Sequence, residues 1–378
     1  MPRHDARPRA SGVGAGIVGL AMARALALRG HQVTLVERSL TQEGASVRNF
    51  GMDWLIGQPM GPVYERAVRG QAVWKEICDA TGTWYDPVGS LQLAYTREEA
   101  DVLMEFYEQE QRLRPLQLLL PGVVSELSGA VRTDGLRVGL HNAEDVIIDP
   151  REAIPNVTTW LQEHMGVEKI FGRMVTAVHK GGVTLSDGTI LEADNIFICP
   201  GSDLRTLFPD AYTESITLCK LQMMRFAAQP DEWRIGPALC GGLSLIHYSS
   251  FAGTSSMAAL KKYFEATYPE YLQWGIHVMV SQNGKGEIAV GDSHEYGRDP
   301  SPFDQGHIDR LILDYLAGFA RFRDETIIER WHGIYAKMTN GELSTFKTVE
   351  PGVHILNGLG GAGMTLSFAL AEDITAEL

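Results

Sequence analysis

The sequence predicts an α/β fold in which a domain with a parallel sheet is joined to a second, α+β domain built on a mostly antiparallel sheet. Three observations predict this fold. The chain of 378 residues is longer than a typical single domain. A glycine-rich turn near the amino terminus is followed by a helix, a strand and an acidic residue. Two later stretches, residues 86–144 and 216–330, mix short strands with amphipathic helices and contain no second glycine turn of this kind.

The first unit begins at the turn Gly14-Ala15-Gly16-Ile17-Val18-Gly19. Apolar residues recur at steps of three and four positions from Ile17 to Arg29, which predicts a helix, and Gly30 ends it. Residues 33–37 predict a short apolar strand that ends on Glu37. A turn, a helix and a strand in this order make up half of a βαβ unit.

The segment before this turn does not follow the pattern. A central parallel strand is buried on both faces and should be a continuous apolar run, but residues 6–13 contain Pro8 and two arginines. The sequence therefore leaves two interpretations: a short and distorted first strand, or a first dozen residues that do not reflect the fold. Ligand affinity is the property that this irregularity would weaken.

Later segments supply further elements of the first domain. Asp187-Gly188 lies between two short apolar runs and predicts a hairpin, and residues 196–199 predict a buried strand closed by Pro200-Gly201. Near the carboxyl end, a strand at 353–356 leads into a glycine-rich loop, and a helix is expected from Thr365 to Leu378. We therefore expect a discontinuous first domain and a substrate-binding domain, with the boundaries 1–85, 145–215 and 331–378 for the first, and 86–144 and 216–330 for the second.

Composition and charge exclude several classes of partner. A formal charge of −14 argues against a nucleic-acid or anionic-membrane surface, because such binding depends on clustered Lys and Arg. A small molecule is the expected partner, and the oligomeric state stays open. No apolar run reaches the ~18 residues of a membrane span, and residues 1–11 lack the apolar stretch of a signal peptide, so a cytoplasmic location is expected. The cysteines lie far apart without a C-x-x-C pair, which indicates buried thiols: Cys78, Cys199, Cys219 and Cys240.

The glycine turn has the spacing of a dinucleotide-binding fingerprint. Gly14 permits the tight turn, Gly16 lets the backbone approach a pyrophosphate, and Gly19 lets the helix pack closely on the sheet. The phosphates would lie at a helix N-terminus, where unpaired N–H groups favour negative charge. The carboxylate of Glu37 could accept hydrogen bonds from ribose hydroxyl groups. The sequence thus predicts a Rossmann-like domain.

Several motifs together resemble the D-amino-acid oxidase or glycine/sarcosine oxidase superfamily. They are Gly14 to Arg38, Gly44-Ala45-Ser46, Arg48-Asn49-Phe50-Gly51, Val146 to Arg151 and the glycine-rich carboxyl end. The likeness covers most of the chain and is looser in the substrate domain. Residues 291–297 and 331–335 are similar to a subgroup associated with phosphonate catabolism.

The resemblance implies non-covalently bound FAD. It places Glu37 on the adenosine ribose, and Arg38 and Ser46 beside the adenine and pyrophosphate portions. It also places the glycine-rich loop under the flavin ring, where N–H groups stabilise negative charge. The expected FAD contacts are Gly14, Gly16, Ile17, Val18, Gly19, Glu37, Arg38, Ser46, Asn49, Val175, Gly201, Gly360, Gly361, Gly363, Met364 and Thr365.

The same resemblance implies oxidative deamination of a small primary or secondary amine, with molecular oxygen as acceptor and aldehyde, ammonia and hydrogen peroxide as products. The substrate it implies is an aminophosphonate related to 2-aminoethylphosphonate. Amino-acid oxidases carry a carboxylate-binding arginine where this sequence has Tyr335, which argues against a plain α-amino acid. The expected catalytic residues supply anion binding or a cation for reduced oxygen, and they are Lys337, His332, Tyr335, Arg48 and His247.

A metal site is not expected from the sequence. Asp292, His294 and Glu295 have ligand side chains, but near-consecutive residues on a strand or turn point in different directions. The expected set of site residues therefore includes no metal ligand.

Three other functions stay open at this point. The first is an FAD-dependent dehydrogenase of a 2-hydroxy acid or an N-methyl amino acid that uses an acceptor other than oxygen. The second is a nicotinamide-dependent dehydrogenase, which would use the same fingerprint and Glu37 but would not need the carboxyl-terminal glycine loop. The third is a catalytically inactive dinucleotide-binding protein, which the irregular segment before Gly14 motivates.

Overall fold

The computed structural model describes residues 8–212 and 215–378, and among these residues two large sheets dominate the fold. The helices of the described part are Ile17–Leu28, Pro62–Thr81, Arg97–Glu110, Pro121–Leu127, Pro150–Met165, Met257–Thr267, Pro269–Gln273, Gly306–Phe319 and Gly363–Ala376. None of the helices described is both long and apolar enough to cross a membrane. The fold is therefore mixed α/β, as expected.

The first sheet has six strands and carries the glycine turn. It is parallel except for its first strand, which is an antiparallel edge. In spatial order the strands are Thr345–Glu350, Val353–Asn357, Asn195–Ile198, Arg9–Val13, Gln32–Glu37 and Glu168–Phe171. The strands expected at 33–37, 196–199 and 353–356 are thus confirmed within a residue or two.

The first strand, Arg9–Val13, is regular and central in this sheet. It pairs in parallel with Gln32–Glu37 on one side and with Asn195–Ile198 on the other. Pro8 stands just before the strand, and its carbonyl still accepts a hydrogen bond from the Gln32 amide at 2.9 Å. Arg9 is exposed and pairs with Glu192 at 2.8 Å. The strand is therefore short but not distorted; residues 6–7 of the irregular segment lie outside the described residues.

The second sheet has nine strands and is antiparallel except where Ala238–Cys240 runs parallel to Ser90–Ala94. Its strands are Ser90–Ala94, Leu116–Leu119, Val138–Asn142, Ile216–Phe226, Ala238–Cys240, Met279–Gln282, Ile288–Gly291, Glu295–Gly297 and Ile327–Met338. Ile327–Met338 pairs along its length with Ile216–Phe226. The domain boundary expected at residue 331 is therefore corrected, since it divides one continuous strand.

Two small sheets complete the described strands. Val175–His179, Gly182–Leu185 and Ile190–Glu192 form one of them, and it contains the hairpin expected around Asp187-Gly188. The other consists of Met52–Asp53, Tyr85–Asp86 and Val146–Ile148, with Val146–Ile148 in the middle.

Two helices of the first domain begin side by side. Ile17–Leu28 packs against Gly363–Ala376, and a Cβ atom on Gly363 would lie 3.5 Å from Cγ2 of Ile17. Trp74 fixes the second helix from behind, because its indole N–H donates to the Met364 carbonyl at 2.8 Å. The unpaired N–H groups at both helix starts therefore face the same edge of the parallel sheet.

Asp145 ties the turn after the strand Met52–Asp53 to the second large sheet. One carboxylate oxygen accepts hydrogen bonds from the Leu55 and Ile56 amides at 2.7 and 3.1 Å, and the other from Ser90 and Asn142 at 2.5 and 2.9 Å. Burial raises the pKa of this carboxyl group to about 6 in spite of these donors.

Replacing Asp145 with alanine is expected to destabilise the protein by at least ~3 kcal/mol, because four buried donors lose their acceptor and each unpaired group costs about 1–3 kcal/mol. Thermal unfolding followed by circular dichroism measures the loss. Asp134→Ala, in an exposed turn, is the matched control and should unfold like the unmodified protein. Equal unfolding temperatures for both variants would contradict this role of Asp145.

Candidate active site

A cavity of about 510 Å³ extends from the parallel sheet to the antiparallel sheet. It opens at the carboxyl ends of the parallel strands, whose final residues line it: Val13, Glu37, Ile198 and Asn357. Ligands of open α/β sheets bind at this edge, where strand order reverses. Both helix N-termini described above meet the same cavity through Gly16, Ile17 and Gly363.

The first two glycines of the fingerprint have different structural reasons. Gly14 has φ of +99°, and a Cβ atom there would lie 2.4 Å from the Cys199 carbonyl oxygen. Gly16 has an ordinary φ of −72° and caps the helix that follows. A Cβ atom on Gly16 would enter the cavity 3.0 Å from the Ser46 hydroxyl oxygen. Gly14 is thus required by the fold, whereas Gly16 keeps open the space beside the helix N-terminus.

Glu37 is held in place by two backbone donors. Its oxygens accept hydrogen bonds from the Ala15 amide at 2.8 Å and the Ser39 amide at 3.0 Å. Each carboxylate oxygen has a second lone pair, and the side chain lines the cavity. The carboxylate is therefore fixed at the cavity wall and can accept further hydrogen bonds.

Two further polar side chains organise the loop that covers the helix start. The Ser46 hydroxyl accepts a hydrogen bond from the Ile17 amide at 2.9 Å. The Asn49 amide donates to the Ala45 and Ser46 carbonyls and accepts from the Gly51 amide. The polar atoms of Asn49 are thus occupied within the loop, so its contribution is to the loop's shape.

The expected FAD contacts line the cavity with the exception of Thr365. Arg38 does so while paired with Asp203 at 2.9 Å. Thr365 is 1% exposed, and its hydroxyl accepts a hydrogen bond from the Trp54 amide at 2.9 Å. At the third position of the helix Gly363–Ala376, this side chain points into the core and is not among the residues that line the cavity.

The glycine-rich loop forms the floor of the cavity next to Tyr335. Gly360–Ala362 is a short 3-10 turn that leads directly into the helix Gly363–Ala376. A Cβ atom on Gly361 would lie 3.8 Å from the Tyr335 hydroxyl oxygen. A loop without side chains, followed by a helix N-terminus, fits a planar ring system whose charge needs backbone N–H donors.

Tyr335, Arg48 and His247 reach the cavity, as expected. Burial raises the pKa of the Tyr335 phenol well above its usual value, so it stays protonated and can donate a hydrogen bond. Nη1 of Arg48 donates to the His332 carbonyl at 3.1 Å, which holds the guanidinium against the strand Ile327–Met338. The apolar part of the wall includes Phe50, Met52, Trp54, Met223 and Met279.

The structure does not bring His332 to this cavity. Its Nδ1 lies 2.9 Å from Oδ1 of Asp304, and its side chain lines a separate cavity together with Arg151 and Trp331. The expectation that His332 acts on the substrate or oxygen is therefore corrected, because successive side chains of a strand point to opposite faces.

Lys337 lies behind the cavity wall and does not line it. Its ammonium donates to the Tyr296 hydroxyl at 3.2 Å and lies 5.2 Å from the centre of that ring. Its positive charge reaches the site, since it contributes to lowering the pKa of His247, His277 and His294. Burial is the largest cause of those three shifts, and it lowers the pKa of His294 to about 4.

Two of these histidines were missed as site residues by the sequence analysis, together with Asp292. His277 and Asp292 are brought together by their strands, Met279–Gln282 and Ile288–Gly291, which pair with Met279 opposite Gly291. Their backbones exchange hydrogen bonds at 3.1 and 3.2 Å. The sequence analysis considered Asp292 and His294 together with Glu295, but without His247 or His277. Only the strand register places these side chains beside His247, and the sequence shows no spacing from which that register can be derived.

Comparison with known proteins places the whole described fold among flavoproteins. The family model of FAD dependent oxidoreductases, DAO, matches residues 13–378. A curated relative, the tRNA 5-methylaminomethyl-2-thiouridine biosynthesis bifunctional protein MnmC of Stutzerimonas stutzeri, is 26% identical over 213 residues. That match covers 52% of this chain and 30% of the relative, so the chain corresponds to less than a third of the relative's length.

Solved structures with low sequence identity share the fold over nearly the full chain. Glycine oxidase from Bacillus cereus is 16% identical, with a TM-score of 0.76 and coverage of 98% of this chain and 94% of its own. L-proline dehydrogenase from P. horikoshii is 20% identical, with a TM-score of 0.76 and coverage of 99% and 94%. At these identities the likeness is one of fold.

Proposed function

Because the chain belongs to the DAO family of FAD-dependent oxidoreductases, we propose that it oxidises a small amine that carries an anionic group, and that this amine is an aminophosphonate related to 2-aminoethylphosphonate. The observation that supports the proposal is the single cavity that joins the dinucleotide glycines to Tyr335, Arg48 and His247. An amine beside Tyr335, Arg48 and His247 would lie against a cofactor bound at the dinucleotide glycines.

Bound FAD supplies the redox chemistry, since it accepts a hydride from the carbon that bears the amine. The imine product hydrolyses to an aldehyde and ammonia, and hydrogen peroxide forms where oxygen is the acceptor. The chain contributes the start of the helix Gly363–Ala376, whose N–H groups would stabilise negative charge on a cofactor bound against them. The apolar side chains of the wall exclude water from the reacting carbon.

An anionic substrate is favoured by the charges around the part of the cavity that Tyr335, Arg48 and His247 line. Arg48 lines the cavity, and the Lys337 ammonium lies close enough to influence the nearby histidines. The Tyr335 phenol adds a neutral donor in place of the bidentate guanidinium that suits a carboxylate. A phosphonate oxygen could therefore accept a hydrogen bond from Tyr335 within a positive potential.

The electron acceptor has a second candidate. The solved structures with this fold include an L-proline dehydrogenase as well as a glycine oxidase. The alternative function is therefore an FAD-dependent dehydrogenase of an N-methyl amino acid or a 2-hydroxy acid that uses an acceptor other than oxygen. A catalytically inactive dinucleotide-binding protein is the alternative outside enzymes.

The absorption band near ~450 nm of the FAD-loaded protein is expected to bleach when 2-aminoethylphosphonate is added without oxygen, because the cofactor carries the redox change. Glycine, L-proline and propylamine serve as comparison amines. Admission of oxygen should then restore the band and generate hydrogen peroxide.

Each other outcome selects an alternative. Bleaching by glycine or L-proline alone would contradict the aminophosphonate and leave the amine oxidation in place. Bleaching without recovery in oxygen would favour the dehydrogenase. A yellow protein that no amine or hydroxy acid bleaches would favour the inactive dinucleotide-binding protein.

A further inference from the structure

Three histidines from separate segments converge on one wall of the cavity. His247 follows the short helix Gly242–Ile246, His277 precedes the strand Met279–Gln282, and His294 follows the strand Ile288–Gly291. The centres of their rings are 3.9, 4.5 and 4.8 Å apart. Each histidine contributes one ring nitrogen, and these three nitrogens lie within 4.8 Å of one another.

Polar atoms of this cluster lack hydrogen-bond partners among the described residues. His277 is 3% exposed, and neither of its ring nitrogens has such a partner. Oδ1 of Asp292 is also without one, and it lies 3.5 Å from Nε2 of His277 and 3.8 Å from Nδ1 of His294. A buried polar group without a partner is unfavourable, so a ligand that satisfies these atoms would be stabilised by doing so.

The atoms that face one another are mostly acceptors. Nδ1 of His294 lies 3.0 Å from the Gly275 carbonyl oxygen, which requires the proton on Nδ1 and leaves a lone pair on Nε2. A neutral imidazole offers one lone pair in the same way at His247 and at His277. The three imidazoles of the cluster can therefore present convergent lone pairs to a cation.

We propose that His247, His277 and His294 bind a divalent transition-metal ion such as Zn²⁺. Imidazole nitrogens are ligands of such ions, and three protein ligands with an open position are typical of catalytic zinc sites. Ligand distances of about 2.0–2.1 Å in a tetrahedron require nitrogens about 3.4 Å apart. Rotation of the side chains can bring the ring nitrogens to this distance, because no hydrogen bond to a described residue holds the His277 ring.

The position of the site decides which group a bound ion would contact. The three histidines of the cluster line the cavity, so an open coordination position would face the substrate. This role rests on the proposed function: the ion would bind the anionic group of the amine.

The test is the metal content of the FAD-loaded protein in the absence of substrate. The protein is treated with a chelator, incubated with one equivalent of Zn²⁺, desalted and analysed by mass spectrometry of the metal. We expect about one zinc ion per chain and less than about one-tenth of that in His277→Ala. The matched control, His179→Ala on the surface hairpin, should retain the full content.

His247→Gln is the second variant, because His247 is only partly buried. Flavin absorbance before and after desalting shows that each variant is folded and loaded. A yellow unmodified protein that retains no zinc overturns the inference, and so does a result in which both cluster variants retain as much zinc as the unmodified protein.

Metal content and flavin bleaching separate this inference from the proposed function. A metal-free protein that bleaches with 2-aminoethylphosphonate would overturn the metal site alone, and the histidines would then contact the substrate directly. A zinc-loaded protein that bleaches with no amine would overturn the proposed function alone.

Discussion

Gly16→Ala is expected to abolish retention of FAD while the protein stays folded. The added methyl group would lie in the cavity at the helix N-terminus, where a pyrophosphate needs the closest approach of the backbone. The backbone angle of −72° at Gly16 suits alanine, and the nearest atom is the end of the Ser46 side chain at 3.0 Å. The change therefore acts on the ligand and spares the fold.

The dissociation constant for FAD, measured by quenching of flavin fluorescence, should rise at least ~100-fold, which corresponds to about 2.8 kcal/mol of binding free energy. The unfolding temperature of the FAD-free protein should stay within a few degrees of that of the unmodified protein. Gly318→Ala makes the same substitution on an exposed helix position with open space around it, and should bind FAD normally. Affinity within about threefold for Gly16→Ala would mean that the pyrophosphate does not pass over Gly16.

Gly14 shows why both measurements are needed. A methyl group there would press on the Cys199 carbonyl at 2.4 Å in a backbone conformation with positive φ, so the loss of FAD would accompany loss of the fold. The spacing of the glycines does not show whether a given glycine is required by the fold or by the bound cofactor, because the spacing is the same in both cases.

Local features of the first domain could be predicted from the sequence. The helix Ile17–Leu28, the strand that ends at Glu37 and the hairpin at Asp187-Gly188 depend on periodicity and turn residues within a few positions. The central strand Arg9–Val13 was harder to predict. Its middle positions are small and buried, and its charged residue is at the exposed end, so the apolar run that marks such strands is missing.

Side-chain direction at the site could be predicted only in part. Alternation along Ile327–Met338 places Tyr335 and Lys337 on one face and His332 on the other, and the structure puts only Tyr335 of these three in the cavity wall. Thr365 belongs to a motif that meets the cavity, yet helical rotation turns its hydroxyl to the Trp54 amide.

The histidine cluster lies beyond sequence reasoning for a different reason. His247 and His294 are 47 positions apart in the chain, and His277 reaches them through pairing of strands in the second sheet. Long-range register depends on turn geometry and on which face of the sheet is buried, and one sequence read alone does not contain it in a local pattern.

Tyr335→Phe is expected to lower kcat/KM for 2-aminoethylphosphonate by ~10- to 100-fold and to leave kcat/KM for propylamine within about threefold. The phenol stays protonated in its buried position, and a hydrogen bond to a charged group contributes about 1.5–3 kcal/mol. Without substrate, the hydroxyl contacts the Cys219 thiol, which is a weak partner. An anionic oxygen would therefore replace the thiol with a net gain that propylamine cannot provide.

Lys337→Met should lower kcat/KM for 2-aminoethylphosphonate about tenfold, again with little effect on propylamine. The substitution removes a charge behind the wall without removing a contact in the cavity. The loss should shrink as salt is added, to the extent that the ammonium is exposed to solvent. Lys262→Met, on an exposed helix face, is the matched control and should leave both substrates unaffected. If Tyr335→Phe and Lys337→Met lower kcat/KM equally for the two substrates, these residues support the cofactor or the fold. The anionic group of the substrate must then be bound elsewhere in the cavity.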